Sequence, residues 1–157
     1  MTKTKTLEDW LRVYYPISAT EWVARLNDPL SLFTILDLLD AAILKWSGAA
    51  PKILEEYNLI RDDHTLVCDI TEQTFEFSTD TCSLCLLAYD LRSEYPCPRC
   101  PITQARGGIP CYKPLEEEYY DPYASFTRTG DNKPMIAVLE ATKEFIQQRH
   151  STASATS

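Results

Sequence analysis

Pro29-Leu-Ser-Leu-Phe-Thr-Ile-Leu-Asp-Leu-Leu-Asp-Ala-Ala-Ile-Leu-Lys-Trp-Ser47 is the stretch from which the fold is read. Leu32, Phe33, Leu36, Leu39, Ile43 and Trp46 recur at helical spacing and form one apolar stripe, with Asp37 and Lys45 lying off it. Asp28 can cap the start. Pro29 suits the first helical position, where its missing N–H would have no partner anyway. Gly48 reads as a left-handed terminator. A helix with such a stripe must be covered by other elements, and the flanking sequence supplies them.

Upstream, Thr6-Leu-Glu-Asp9 opens a short helix with a hydroxyl cap and acids in the first turn. Leu7, Trp10, Leu11 and Tyr14 share one face, and Pro16 ends the helix. Ser18-Ala-Thr-Glu21 has the capping-box pattern and starts a second short helix through Leu26. Downstream, residues 51–57 read as another short helix. Thr65-Leu-Val-Cys-Asp-Ile70 and Thr74-Phe-Glu-Phe-Ser78 alternate with period two, which predicts a hairpin across Thr71–Gln73. Asp131 or Asn132 can cap a last helix with Pro134 in its first turn, its apolar side marked by Met135, Val138, Leu139, Phe145 and Ile146.

The expected fold class is α+β, mainly α-helical: a helical N-terminal part, a short β-hairpin, a cysteine-ligated metal module and a C-terminal helix. One domain covers 1–150. Within it, 1–80 form the body, 81–113 the metal module, and 114–150 an acidic connector with the last helix. The small polar residues 151–157 read as a disordered tail.

The composition narrows the function classes. The chain has 157 residues, 45% hydrophobic and 24% charged, which suits a globular protein with a packed core. The net charge is −8 and is uneven. Residues 1–80 carry fourteen acids against seven bases, whereas 81–113 carry four bases against two acids. An acidic body attracts basic partners and disfavours a broad nucleic-acid-binding face. The first residues show no apolar leader, and no apolar run is long enough to cross a membrane. The expected location is therefore cytoplasmic. In a reducing compartment, six cysteines point to metal ligation rather than disulfides.

Cys82-Ser-Leu-Cys85 and Cys97-Pro-Arg-Cys100 are two pairs with two residues between their members, and eleven residues separate the pairs. A pair at this spacing wraps a tight turn so that both sulfurs face one ion. Two pairs supply the four thiolates of a closed tetrahedral structural zinc site. Cys111, reached through Gly107-Gly108, is an alternative ligand. Arg92, Arg99, Arg106 and Lys113 lie close enough in sequence to offset the thiolate charge. An iron–sulfur cluster uses the same ligand type and stays open as an alternative cofactor. Pro96-Cys-Pro-Arg-Cys100 also matches half of the zinc deaminase signature. The other half, a ligand followed two residues later by Glu, is missing at both His64 and Cys68. A zinc-dependent enzyme of nucleotide or nucleic-acid metabolism and a nucleic-acid-binding zinc module are thus the competing functions.

No complete catalytic set is legible. His64 reads as a turn residue before a strand and His150 as solvated near the C-terminus, so triad-type chemistry has no base. Cys68, in mid-strand, reads as a buried free thiol. Glu116, Glu117 and Glu118 with Tyr119, Tyr120 and Tyr123 form an acidic, aromatic stretch that reads either as a packed lid or as a partner-binding face.

The order of Tyr14-Tyr-Pro-Ile-Ser-Ala19, Lys45-Trp-Ser-Gly48, Tyr57-Asn-Leu59, the two cysteine pairs with Pro101, Cys111 and Pro134-Met-Ile136 resembles an uncharacterised family of small cysteine-rich proteins of bacteriophages and prophages. The resemblance carries no established activity. It implies a setting, the host cytoplasm, in which small acidic proteins act on host machinery. With the missing catalytic set, it leads to the expectation of a non-enzymatic, zinc-stabilised interaction protein that binds or inhibits a host protein complex, possible inhibition of a defence complex being one form.

Overall fold

The computed structural model describes residues 4–26, 35–77, 101–107 and 121–155. The expected start of the long helix, with Asp28, Pro29, Leu32 and Phe33, lies outside them. In chain order the elements are α1 (Leu7–Tyr14), α2 (Ala19–Leu26), α3 (Ile35–Ser47), α4 (Pro51–Glu56), β1 (Leu59–Asp62), β2 (Thr65–Cys68), β3 (Thr74–Glu76), α5 (Pro101–Ala105), α6 (Pro122–Thr129) and α7 (Lys133–Ala155). The mainly helical α+β character matches the sequence reading.

α1 begins where Asp9 turns back to accept from the Thr6 N–H at 2.9 Å, which occupies one of the donors left over at a helix start. Leu7 and Trp10 are buried, and α1 packs on α3. In α2 the Ser18 hydroxyl accepts from the Glu21 N–H, but the Glu21 side chain pairs with Arg25, so only half of the capping box forms.

α3 packs on α1 and α7 and presents Leu38, Leu39, Ala42 and Trp46 to the core, while Leu36 and Ile43 are half-buried. Lys45 departs from the sequence reading. It is 2% exposed, not solvated, with its ammonium 5.5 Å from the Trp46 ring and 5.2 Å from the Phe77 ring. Its flexible stem packs with the apolar stripe, and the aromatic faces stabilise the charge that burial strips of water.

Gly48 also differs from expectation, because its φ is not positive. Its glycine requirement is one of space. A Cβ there would lie 2.5 Å from Tyr14 Cγ and 2.8 Å from Trp10 Nε1. The bare backbone lets the buried Trp10 indole donate to the Gly48 carbonyl at 2.9 Å.

β2 and β3 form the expected antiparallel hairpin, and β1 adds a strand that was not expected, giving the order β1-β2-β3. Leu59-Ile-Arg-Asp62 alternates buried and open positions, but four residues followed by Asp63 make a weak strand signal. Asp63, at φ 52°, takes the left-handed conformation that closes the β1–β2 turn. The inward row Arg61–Leu66–Phe75 faces the helices.

α6 was likewise not expected. Asp121 caps it by accepting from the Ala124 N–H, Pro122 fills the first position, and Gly130 (φ 79°) ends it. The Arg61 guanidinium reaches the Thr127 carbonyl at 2.7 Å in the last turn, where carbonyls lack helical partners. α7 begins with Asp131 accepting from the Lys133 N–H, and buried Asn132 donates to the Trp46 carbonyl at 2.8 Å. The helix continues to Ala155, past the expected end of the ordered chain at 150. No proline or glycine interrupts 135–155.

The aromatic core meets at Phe77. Its ring is 4.7 Å from Trp46, 5.0 Å from Phe126, 5.5 Å from Phe75 and 6.1 Å from Trp10. Phe77→Ala is expected to cost about 3–5 kcal/mol in urea unfolding, as for other buried phenylalanines. Gly48→Ala is expected to cost about 1–3 kcal/mol, the range for an overpacked core, with loss of the protected Trp10 indole N–H signal in NMR.

Candidate functional site

The stretch expected to carry the metal ligands is flanked by described residues that pack into this core. Before it, Phe77 is fully buried. Its N–H donates to His64 O at 2.8 Å, and its carbonyl accepts from the Tyr123 hydroxyl. After it, α5 starts at Pro101, next to Cys100, and packs on α7 with Ile102 1% and Thr103 4% exposed. Cys82, Cys85, Cys97, Cys100 and Cys111 themselves lie outside the described residues, as do Arg92, Arg99 and Lys113. Among the described residues, no group of three His, Cys, Asp or Glu side chains is placed to hold a metal ion.

The remaining cysteine is placed as the sequence suggested. Cys68 is a buried free thiol at the end of β2. Burial pushes its pKa up. Against that, the Thr71 hydroxyl and the backbone N–H groups of Thr71, Leu7 and Ile70 stabilise the thiolate, and together they hold the thiol below its ordinary value. These contacts account for Cys68 as a packing residue.

His64 sits in the β1–β2 turn, with its carbonyl bonded to Phe77. Of the acidic, aromatic stretch, Glu116, Glu117, Glu118, Tyr119 and Tyr120 lie outside the described residues. Tyr123 is half-buried in α6, edge-on to Trp46 at 6.3 Å, with its hydroxyl turned to the Phe77 carbonyl. Its surroundings favour packing over partner contact, because most of its polar and apolar surface is engaged inside the chain.

Two features escaped the sequence reading. One is the burial of Lys45. The other is an open groove of about 550 Å³ along β1, lined by residues that include Leu54, Glu55, Ile60, Arg61, Asp69 and Thr129. Only the alternation in 59–62 hinted at the strand beside it. The enclosed space next to Lys45, among Tyr14, Tyr15 and Trp22, is about 40 Å³, room for roughly one water. No described helix is long and apolar enough to cross a membrane.

Comparison with known proteins finds no matching family model, no matching curated protein and no matching solved structure.

Cys68→Ala is expected to leave metal content unchanged and to lower stability by about 1–2 kcal/mol. A thiol held below its unfolded pKa adds stability as pH rises through the thiol range and loses it as pH falls. The stability difference between wild type and Cys68→Ala, followed by urea unfolding at a series of pH values, should therefore widen toward high pH.

Proposed function

We propose that this chain is a zinc-stabilised, non-enzymatic interaction protein, phage-encoded, that acts in the host cytoplasm by binding and inhibiting a host protein complex. The observation that carries the proposal is the spacing of the cysteines: two Cys-x-x-Cys pairs eleven residues apart. Four thiolates close a tetrahedral zinc and leave no position for water or substrate, which makes the ion a structural one. Cys82, Cys85, Cys97 and Cys100 are the proposed ligands, with Cys111 as the alternative.

Two facts about the body support this reading. The 78–100 segment leaves the core at one buried residue, Phe77, and returns beside another, Ile102. Cross-linking the chain through a metal between these two points would reduce the freedom of the unfolded chain and couple metal binding to folding. The net charge of −8 suits a basic partner, or competition with DNA for a DNA-binding complex. Glu116 to Tyr120 remain candidate partner contacts on this reading.

Native mass spectrometry with elemental analysis tests the metal. One zinc per chain is expected. Ser at position 82, 85, 97 or 100 should abolish retention, and Cys111→Ser should spare it. Retention by only three cysteines would imply an open coordination position and favour the zinc-enzyme reading. Bound iron would replace zinc with a cluster. Affinity capture from host lysate should recover a stoichiometric protein partner, and an empty capture would remove the interaction reading.

A further inference from the structure

The groove along β1 lies beside strand backbone that is unpaired among the described residues. The hydrogen bonds Phe77 N–H to His64 O and Cys68 N–H to Gln73 O assign the even-numbered residues of β2 to β3. Thr65 and Val67 therefore bond to their β1 partners, Asp62 and Ile60. Leu59 and Arg61 are left with their backbone N–H and C=O groups pointing away from β2. Among the described residues, no strand pairs with β1 on that side. Exposed edges of this kind accept a further strand.

The walls and charges of the groove say what kind of strand. Ile60 is 56% exposed, and Pro51 and Leu54 line the opposite wall, so part of the lining is apolar. Glu55 and Asp69 line it as well, and exposed Asp62 is next along β1. Arg61 is the one basic residue in the described lining. Its guanidinium donates to Thr127 O and Asp63 O, 5.8 Å from the Phe126 ring and close to Gly130. The groove thus offers backbone pairing, an apolar contact and acids, with its one described cation engaged by two carbonyls.

We propose that β1 receives, as a fourth strand, an extended segment of a partner protein that carries Lys or Arg and apolar side chains on the same face. Backbone hydrogen bonds would supply affinity, Ile60 and Leu54 an apolar contact, and Glu55, Asp62 and Asp69 the selection for basic residues. The inference rests on the reading of the chain as an interaction protein. It does not depend on the identity of the metal.

The test uses the full-length, metal-loaded, ¹⁵N-labelled protein with two synthetic peptides, one repeating Lys-Thr-Val-Thr, the other Glu-Thr-Val-Thr. The Lys peptide should shift the Leu59 and Arg61 amides, and slow their solvent exchange, more than those of any other element. The Glu peptide should leave them unmoved. Ile60→Lys and Asp69→Lys, both at exposed positions, should each weaken binding by about tenfold. Absent or scattered shifts, equal binding of both peptides, or unchanged affinity in both variants would overturn the inference. A host partner captured equally by wild type and Ile60→Lys would overturn it too, while leaving the interaction reading intact.

Discussion

The contacts of Phe77 hold the rest of the molecule in place. Its ring touches aromatic side chains from α1, α3, β3 and α6, and the Lys45 ammonium lies over it. Its backbone closes the end of the β2–β3 ladder on one side and accepts from Tyr123 on the other. A sheet of strands only three or four residues long cannot stand alone in water. It persists because Leu66, Phe75 and Phe77 bury themselves against α1, α3 and α6, where each ring removes a large apolar area from solvent.

Around that centre, the ends of elements are joined by side chains that reach orphaned backbone groups. Trp10 donates to Gly48 O, Asn132 to Trp46 O, and Arg61 to Thr127 O. Each bond reaches a carbonyl at or just beyond a helix end; that of Trp46 also accepts from the Ala49 N–H. The same three bonds connect α1 to the α3–α4 turn, α7 to α3, and the sheet to α6. The polar groups therefore set the relative placement of pieces whose apolar surfaces alone would tolerate sliding.

This arrangement bears on function through what it leaves accessible. Phe77 and Ile102, the described residues that flank the 78–100 stretch, are both buried in the core. Among the described residues, the helices cover the inner face of the sheet, and no strand pairs with the outer edge of β1, beside acidic side chains. A charge of −8 spread over such a body is suited to meeting basic surfaces. The buried polar groups described above serve packing.

Much of the architecture was legible from local sequence because its causes are local. The caps at Thr6, Ser18 and Asp131, the apolar face of α1, the β2–β3 hairpin and the buried Cys68 follow from spacing and hydrogen-bonding chemistry within a few residues. The spacing of the paired cysteines is likewise local in the sequence, but those residues lie outside the described ones. Strand β1 and helix α6 could have been suspected from the alternation in 59–62 and from Asp121-Pro122 with Gly130, but both signals are short. The burial of Lys45, the steric role of Gly48 and the open edge of β1 were decided only by tertiary structure. Each depends on which distant residue arrives next to it: Phe77 over Lys45, Trp10 and Tyr14 against Gly48, and the α6 terminus across from β1. Periodicity along one segment carries the identity of a buried face, but the groups that cover it, and the edge they leave bare, are set by packing between segments far apart in the chain.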